Sequence, residues 1–351
     1  MTKNSRYFLV AAATVLILGV GGGLIAYFAY QRAAGLPSGV PAEIRYVPAD
    51  AALVAYVNVR AVMSSDLRRA LVPTMESGSR KGHQMMNDFA GIDLEKQVEH
   101  ALAYVEPSKP EPASDAPQSP GGGQRRPTPQ GIFLVRGNFE QARVEQFIKD
   151  HGGTIEDYRG HHISIRQKDS EEMAVGFVRP DLIAVGQAAL VRRALDRSVA
   201  AGNAAGQDTD LTSNVEVMDL IRDAAGRTAW VVGYFDAVKA GMKLPGAVSG
   251  QVPPVRLVSA TADINGGLKG AIKAQMADQP AAEQLREVVR GFIALARLQS
   301  GGKPEFDRVM KSVQLSGTGR TVEITFAVSP DMIPALAPRR RQTNPDAPPK
   351  P

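Results

Sequence analysis

The feature that most constrains this chain is the run from Tyr7 to Tyr30, YFLVAAATVLILGVGGGLIAYFAY, in which 24 consecutive residues carry no charge. At 1.5 Å per residue a helix of that length reaches ~36 Å, more than the ~30 Å hydrocarbon core of a bilayer. Such a segment is more stable in lipid than in water, and it predicts one transmembrane helix over residues 7–30. Tyr7 and Phe8 at one end and Tyr27, Phe28 and Tyr30 at the other stand where amphipathic rings favour the interface. Lys3 and Arg6 precede the run and only Arg32 closely follows it, so residues 1–6 are expected in the cytoplasm and everything after the helix outside it. A cleaved signal peptide would have a shorter apolar region with small residues before the cut; Ala33-Ala34-Gly35 lies beyond Arg32, which favours an uncleaved anchor. Gly19 and Gly23 form a small-xxx-small pair that would let two such helices approach as a homodimer, although glycine is common in membrane helices without that role.

The formal charge of +5 is unevenly placed. Lys3, Arg6 and Arg32 flank the apolar run, and Arg339, Arg340, Arg341 and Lys350 lie in the tail with Asp346. Removing these seven basic residues and one acidic residue from totals of 41 and 36 leaves 34 against 35. A near-neutral remainder supplies no basic face for nucleic acid. The Arg339–Arg341 cluster reads as a solvated end before it reads as a headgroup-binding patch. The chain has no cysteine, which excludes disulfides, thiolate metal sites and a cysteine nucleophile.

The rest of the chain alternates strand and helix signals. Residues 31–46 read as a spacer, 47–200 as a first α+β unit, 211–335 as a second, and 336–351 as a disordered tail rich in arginine and proline. Strands are expected over 52–59, 98–105, 131–137, 161–166, 173–178 and 182–185, then over 229–235, 255–264, 268–276, 313–317 and 321–328. Ser64-Ser65-Asp66 would cap a helix through Leu71, and a second helix would carry Met85, Met86 and Phe89. Further helices are expected from Asn138 to about His151, from 188 to 199, after Ser213 with Glu216 as its capping partner, from Pro280 to Gln299, and from Pro304 to Met310. Residues 107–130, dense in proline, glycine and serine, read as a disordered insertion within the first unit. VAYVNVRAV from Val54 and WVVGYFDAV from Trp230 open parallel series of elements, which hints at an internal duplication. Hairpins predominate, so the expected class is α+β: a largely antiparallel sheet with helices on one face.

No catalytic, cofactor or metal constellation emerges. His161 and His162 are adjacent on a strand and point to opposite faces, so they cannot share a metal; His162 with Asp157 or Glu156 is the nearest candidate set. His151 before Gly152 suits a helix C-terminus, while His83 and His100 fall in no ligand or nucleophile pattern. The glycines at 121–123 and 266–267 lack the context of a phosphate loop, and Trp230, the sole tryptophan, sits in an apolar strand that predicts burial.

Pro48 to Ala51 (PADA) before an alternating strand, FLVRGNF from Phe133, VGQ from Val185 and VVRGFIAL from Val288 together resemble single-pass membrane-anchored envelope proteins of GC-rich bacteria, a group without an established activity. The resemblance covers most of the chain beyond the anchor and implies a bacterial envelope setting; with the orientation read from Lys3, Arg6 and Arg32, the expected location is the inner membrane with a periplasmic domain. The expected role is non-enzymatic, binding or scaffolding another envelope protein. An apolar-ligand binder and a hydrolase are the competing readings.

Overall fold

The computed structural model describes residues 39–66, 68, 91–107, 131–168, 171–201, 210–236, 253–299 and 304–332. The apolar run at 7–30, the helix around Met85, His83, nearly all of the insertion and the basic tail lie outside these residues. Among the described residues no helix is long and apolar enough to cross a membrane.

A 3-10 turn, Ala42–Tyr46, opens the described chain; it is called the strap below. The strands are β1 Leu53–Val57, β2 Val98–Val105, β3 Gly131–Gly137, β4 Thr154–Tyr158, β5 His161–Lys168, β6 Glu171–Arg179, β7 Leu182–Gln187, β8 Ala229–Tyr234, β9 Val255–Asp263, β10 Leu268–Met276, β11 Gln314–Ser316 and β12 Thr321–Val328. The helices are α1 Val59–Ser64, α2 Leu94–Gln97, α3 Gln141–Asp150, α4 Ala188–Ala201, α5 Val215–Ala224, α6 Gln279–Gln299 and α7 Pro304–Ser312. Among the described residues, the twelve strands join one antiparallel sheet in the order β11-β12-β10-β9-β8-β1-β2-β3-β7-β6-β5-β4. The two expected α+β units are therefore not separate layers: β1 pairs directly with β8, and one sheet runs through both.

That central pair shows why the chain folds this way. LVAYV in β1 and AWVVGY in β8 are apolar at nearly every position rather than at alternate ones, the pattern of strands covered on both faces. Trp230 is wholly buried and stacks on Tyr56 of the neighbouring strand at 5.5 Å between ring centroids, a contact worth roughly 0.5–1.5 kcal/mol beyond the area it buries.

Helices cover both faces of the sheet, which corrects the expectation of one. Leu102, Leu134, Ala184 and Trp230 pack with α4, α5 and the strap through Leu190, Leu195, Ile221 and Ile44. Alternate residues of the same strands, Ala101, Val135, Ile183 and Ala229, pack with Val59 of α1, Val144 and Ile148 of α3 and Val309 of α7. On that second face, beyond α7, Ala281, Ala282 and Leu285 of α6 meet Met276 and Val322. A twelve-stranded sheet whose inner strands are apolar on both sides cannot leave one side in water.

Several boundaries differ from expectation for local reasons. Asn58 accepts from the Ala61 N–H and starts α1, a helix the sequence reading lacked. The expected cap at Ser64-Ser65-Asp66 follows it, with Ser65 Oγ accepting from the Arg68 N–H at 3.1 Å, while Leu71 lies outside the described residues. Asn214, not Ser213, caps α5 by accepting from the Val217 N–H, because Ser213 belongs to a 3-10 turn after Asp210. Helix α3 begins after Glu140 rather than at Asn138. Strand β4 has no counterpart in the sequence reading; TIEDY is polar because β4 is the sheet's edge, where none of its residues is fully buried. The strap lies within the stretch read as spacer, yet Glu43 and Ile44 are fully buried.

Candidate functional site

Among the described residues the buried ionisable acid and bases, Glu43, His100 and Arg136, gather beneath the strap. Pro41, in extended geometry, precedes the turn, and the Ile44 N–H donates to the Pro41 carbonyl at 3.2 Å. Pro48 bridges to Asp210, and the Leu211 N–H donates to the Val47 carbonyl at 2.8 Å, so the strap is clamped at its exit as well. Ile44 and Val47 have no exposed surface, and their burial drives Glu43 against the sheet.

Glu43 meets two basic side chains there. His100 on β2 stands directly opposite Arg136 on β3, so both project to the face the strap covers. The Arg136 Nε donates to Glu43 Oε1 at 2.6 Å and its Nη2 bonds the same oxygen, while His100 Nε2 lies 2.7 Å from Glu43 Oε2. Arg136 also pairs through Nη1 with Asp181, at the turn between β6 and β7, and Asp181 accepts two further bonds of 3.0 Å from Arg179. The result is a chain of alternating bases and acids, His100–Glu43–Arg136–Asp181–Arg179, buried at the Glu43 end and half-exposed at Asp181. Tyr56 extends it as an aromatic path, with its ring 5.6 Å from His100 on one side and stacked on Trp230 on the other.

The electrostatics follow from this geometry. Burial alone would raise the Glu43 pKa; the His100 contact and the charges of His100 and Arg136 outweigh it and bring the carboxyl from 4.5 to about 2. Burial, reinforced by the nearby Glu43 charge, holds the Tyr56 phenol above its ordinary range. Burial likewise works against ionised Asp181, and the bond from Arg179 with the charges of Arg136 and Arg179 reverses it, leaving this carboxyl below its usual value. Glu43 is thus held ionised, doubly bonded and out of reach of solvent. That arrangement suits a lock between the strap and the centre of the sheet; a reaction centre needs a face open to substrate.

The histidines singled out from the sequence stand elsewhere. His162 is exposed and bonded to Glu145 at 2.9 Å, Glu156 is held by Arg192 through two bonds, and His161 Nδ1 lies 3.2 Å from the Phe177 carbonyl oxygen. His162, Asp157 and Glu156 are therefore not gathered on one ion, and among the described residues no group of three or more metal-ligating side chains is found. His151 ends α3, stacked on Phe147 with ring centroids 4.0 Å apart. His100, which matched no motif, is the one histidine in the buried network. The parity of its strand carries a signal: His100, Leu102 and Tyr104 alternate onto one face, and Ile132, Leu134 and Arg136 do the same on β3. A basic residue at an inward position of each strand requires a buried acid to meet it.

The fold and this network define an α+β protein built on one large antiparallel sheet with its amino-terminal strap locked in. No family model matches the chain, and no curated protein matches it. Among solved structures it is similar to crystal forms of TP0453. Form I aligns at 9% identity over 86% of this chain and 98% of that one, with a TM-score of 0.45. Form III aligns at 10% identity over 87% and 98%, with a TM-score of 0.43. At these scores the likeness carries no functional argument.

Proposed function

We propose that this chain is a single-pass membrane protein of the bacterial envelope, with its amino terminus in the cytoplasm and its sheet domain in the periplasm, and that the domain is a non-enzymatic platform for another envelope protein. The observation that carries the reading is the strap. The uncharged run ends at Tyr30, and twelve residues later Ala42 enters a turn whose Glu43 is locked into the sheet beside its central strands. A domain that only needed tethering could hang from a loose linker. Here the connection to the bilayer enters at the middle of the sheet through a buried ion network, as in a bracket that bears load. The sheet order also supports two duplicated α+β units fused at β1 and β8. Ala55 faces Val231, and these residues hold the same place in VAYVNVRAV and WVVGYFDAV.

In-cell photo-crosslinking of the full chain, with the reactive residue placed in turn at exposed positions on both sheet faces, tests the role. The reading expects one discrete adduct, confined to a contiguous set of positions and saturable with partner level. Adducts absent from every position, or a co-purifying lipid in native mass spectrometry with no protein adduct, would overturn it and favour an apolar-ligand carrier.

A further inference from the structure

The carboxyl-terminal half of α6 is the least covered apolar surface among the described residues. The amino-terminal half is packed, with Ala281, Ala282 and Leu285 buried against Met276 and Val322. Further along, Val288, Phe292 and Ile293 are only half-buried, Leu295 is 47% exposed and Leu298 is 81% exposed. Leu295 and Leu298 are three residues apart on one helix, so they stand side by side as a patch with the half-buried Phe292 rather than as singly scattered residues.

Its direction indicates what covers it. Helix α6 starts beside Met276, the last residue of β10, and runs back along that strand, so that Arg297 reaches the Met310 carbonyl of α7. Val309 of α7 packs with Leu268 and Val328, at the opposite end of β10 and β12. The exposed leucines therefore lie toward the end of the sheet that holds Leu268 and Val328. The chain arrives from the apolar run at the same end. A Cβ on Gly39 would lie 2.9 Å from the Gly226 nitrogen; Gly226 leads into β8, whose first residue, Ala229, pairs with Ala262 of β9. The next residue of β9, Asp263, pairs with Lys269 of β10, which pairs in turn with Ala327 of β12.

Tyr30 and Gly39 are nine residues apart, and so many residues span at most ~32 Å even fully extended. If Tyr30 marks the membrane interface, this end of the sheet is held within a few nanometres of the lipid headgroups. Basic side chains stand at the same end: Lys269 and Lys311 are exposed there, near Asp263 and the Arg308–Asp331 pair, and along α6 the leucines are flanked by Arg290, paired with Glu287, and Arg297, bonded to the Met310 carbonyl. Apolar side chains beside long basic ones form the composition that seats a helix at a lipid surface, with the leucines below the headgroups and the basic groups among them.

We infer that the carboxyl-terminal half of α6 docks on the bilayer to which the chain is anchored, using Leu295 and Leu298 as the inserted residues, so that the domain is held against the membrane at a fixed face. The inference rests on the anchor reading above and adds to it the surface that meets lipid. It is tested with the full chain in vesicles of phosphatidylethanolamine and phosphatidylglycerol that contain a spin-labelled lipid. Because the chain has no cysteine, Leu298→Cys and, as a control on β5, Gln167→Cys each take a single environment-sensitive dye. Docking predicts that dye at 298 loses more than half of its emission to the spin label and shifts to the blue, while dye at 167 does neither. Leu295→Ser, measured in the Leu298→Cys background, should reduce the quenching. If the chain floats with the vesicles after alkaline washing but dye at 298 stays unquenched, α6 docking is wrong and the anchor stands. If Leu298→Cys copies instead form a disulfide with each other and the dye is unquenched, the surface belongs to a second copy and the inference falls. If the chain does not remain with the vesicles at all, the anchor reading fails and takes this one with it.

Discussion

Replacing Glu43 by glutamine isolates the charge of the strap lock while keeping its shape. The folded carboxyl sits at about 2 against 4.5 for an unrestrained one, and at 1.36 kcal/mol per pH unit that difference is worth about 3 kcal/mol. The size agrees with the ~3–5 kcal/mol lost when one member of a buried ion pair is removed and its partner stays behind. Because the folded value is the lower one, the contribution is complete above the unfolded value of 4.5 and disappears as the pH falls toward 2. Wild type should therefore exceed Glu43→Gln by about 3 kcal/mol near pH 7, and the gap should shrink to less than half by about pH 3. Urea titration of the detergent-solubilised chain reads this directly, since the only tryptophan, Trp230, is buried at the central strand pair and its emission follows unfolding of that seam. Equal stabilities near neutral pH, or a gap that does not change on acidification, would refute the argument that Glu43 is held ionised by His100 and Arg136.

Other consequences are as specific. Trp230→Ala removes a fully buried ring stacked on Tyr56 and should destabilise the domain by roughly 3–5 kcal/mol in circular-dichroism melts. The β1 to β8 pairing makes both halves one cooperative unit, so tryptophan emission and circular dichroism should report a single coincident transition in urea; two separated transitions would show that the halves fold independently. A Cβ at Gly137 would lie 2.1 Å from the Gln97 carbonyl oxygen, so Gly137→Ala should lose about 1–3 kcal/mol through displaced backbone. Gly160 has open space around it and a φ of +81°, so Gly160→Ala should lose only the ~1 kcal/mol of a left-handed residue. Thermal melts of the two variants would separate steric from conformational loss.

Four strands were legible in the sequence to the residue, two at the centre of the sheet and two near its edge. β2, β3, β10 and β12 begin and end where their apolar runs do, because burial and pattern share one cause. β4 was not legible, since an edge strand gains its hydrogen bonds from β5 without needing an apolar face. The coverage of both faces was implicit in the unbroken apolar runs of β1 and β8, where alternation would have been expected for a sheet with one wet side. The strap network was the least legible part. Glu43, His100 and Arg136 come from three segments, and only the register that sets His100 opposite Arg136 shows that they meet. The residual hint was two basic residues at inward positions, a local conflict that a distant acid resolves.

The central claim is that residues 7–30 cross a bilayer and leave the domain outside the cytoplasm. Alkaline phosphatase and a fluorescent protein, each fused after Pro351 and expressed in intact bacterial cells, test it most directly. The account predicts an active phosphatase, a dark fluorescent protein and a chain that stays with the membrane after alkaline extraction. An inactive phosphatase with a bright fluorescent fusion, or release of the chain by alkali, would contradict it.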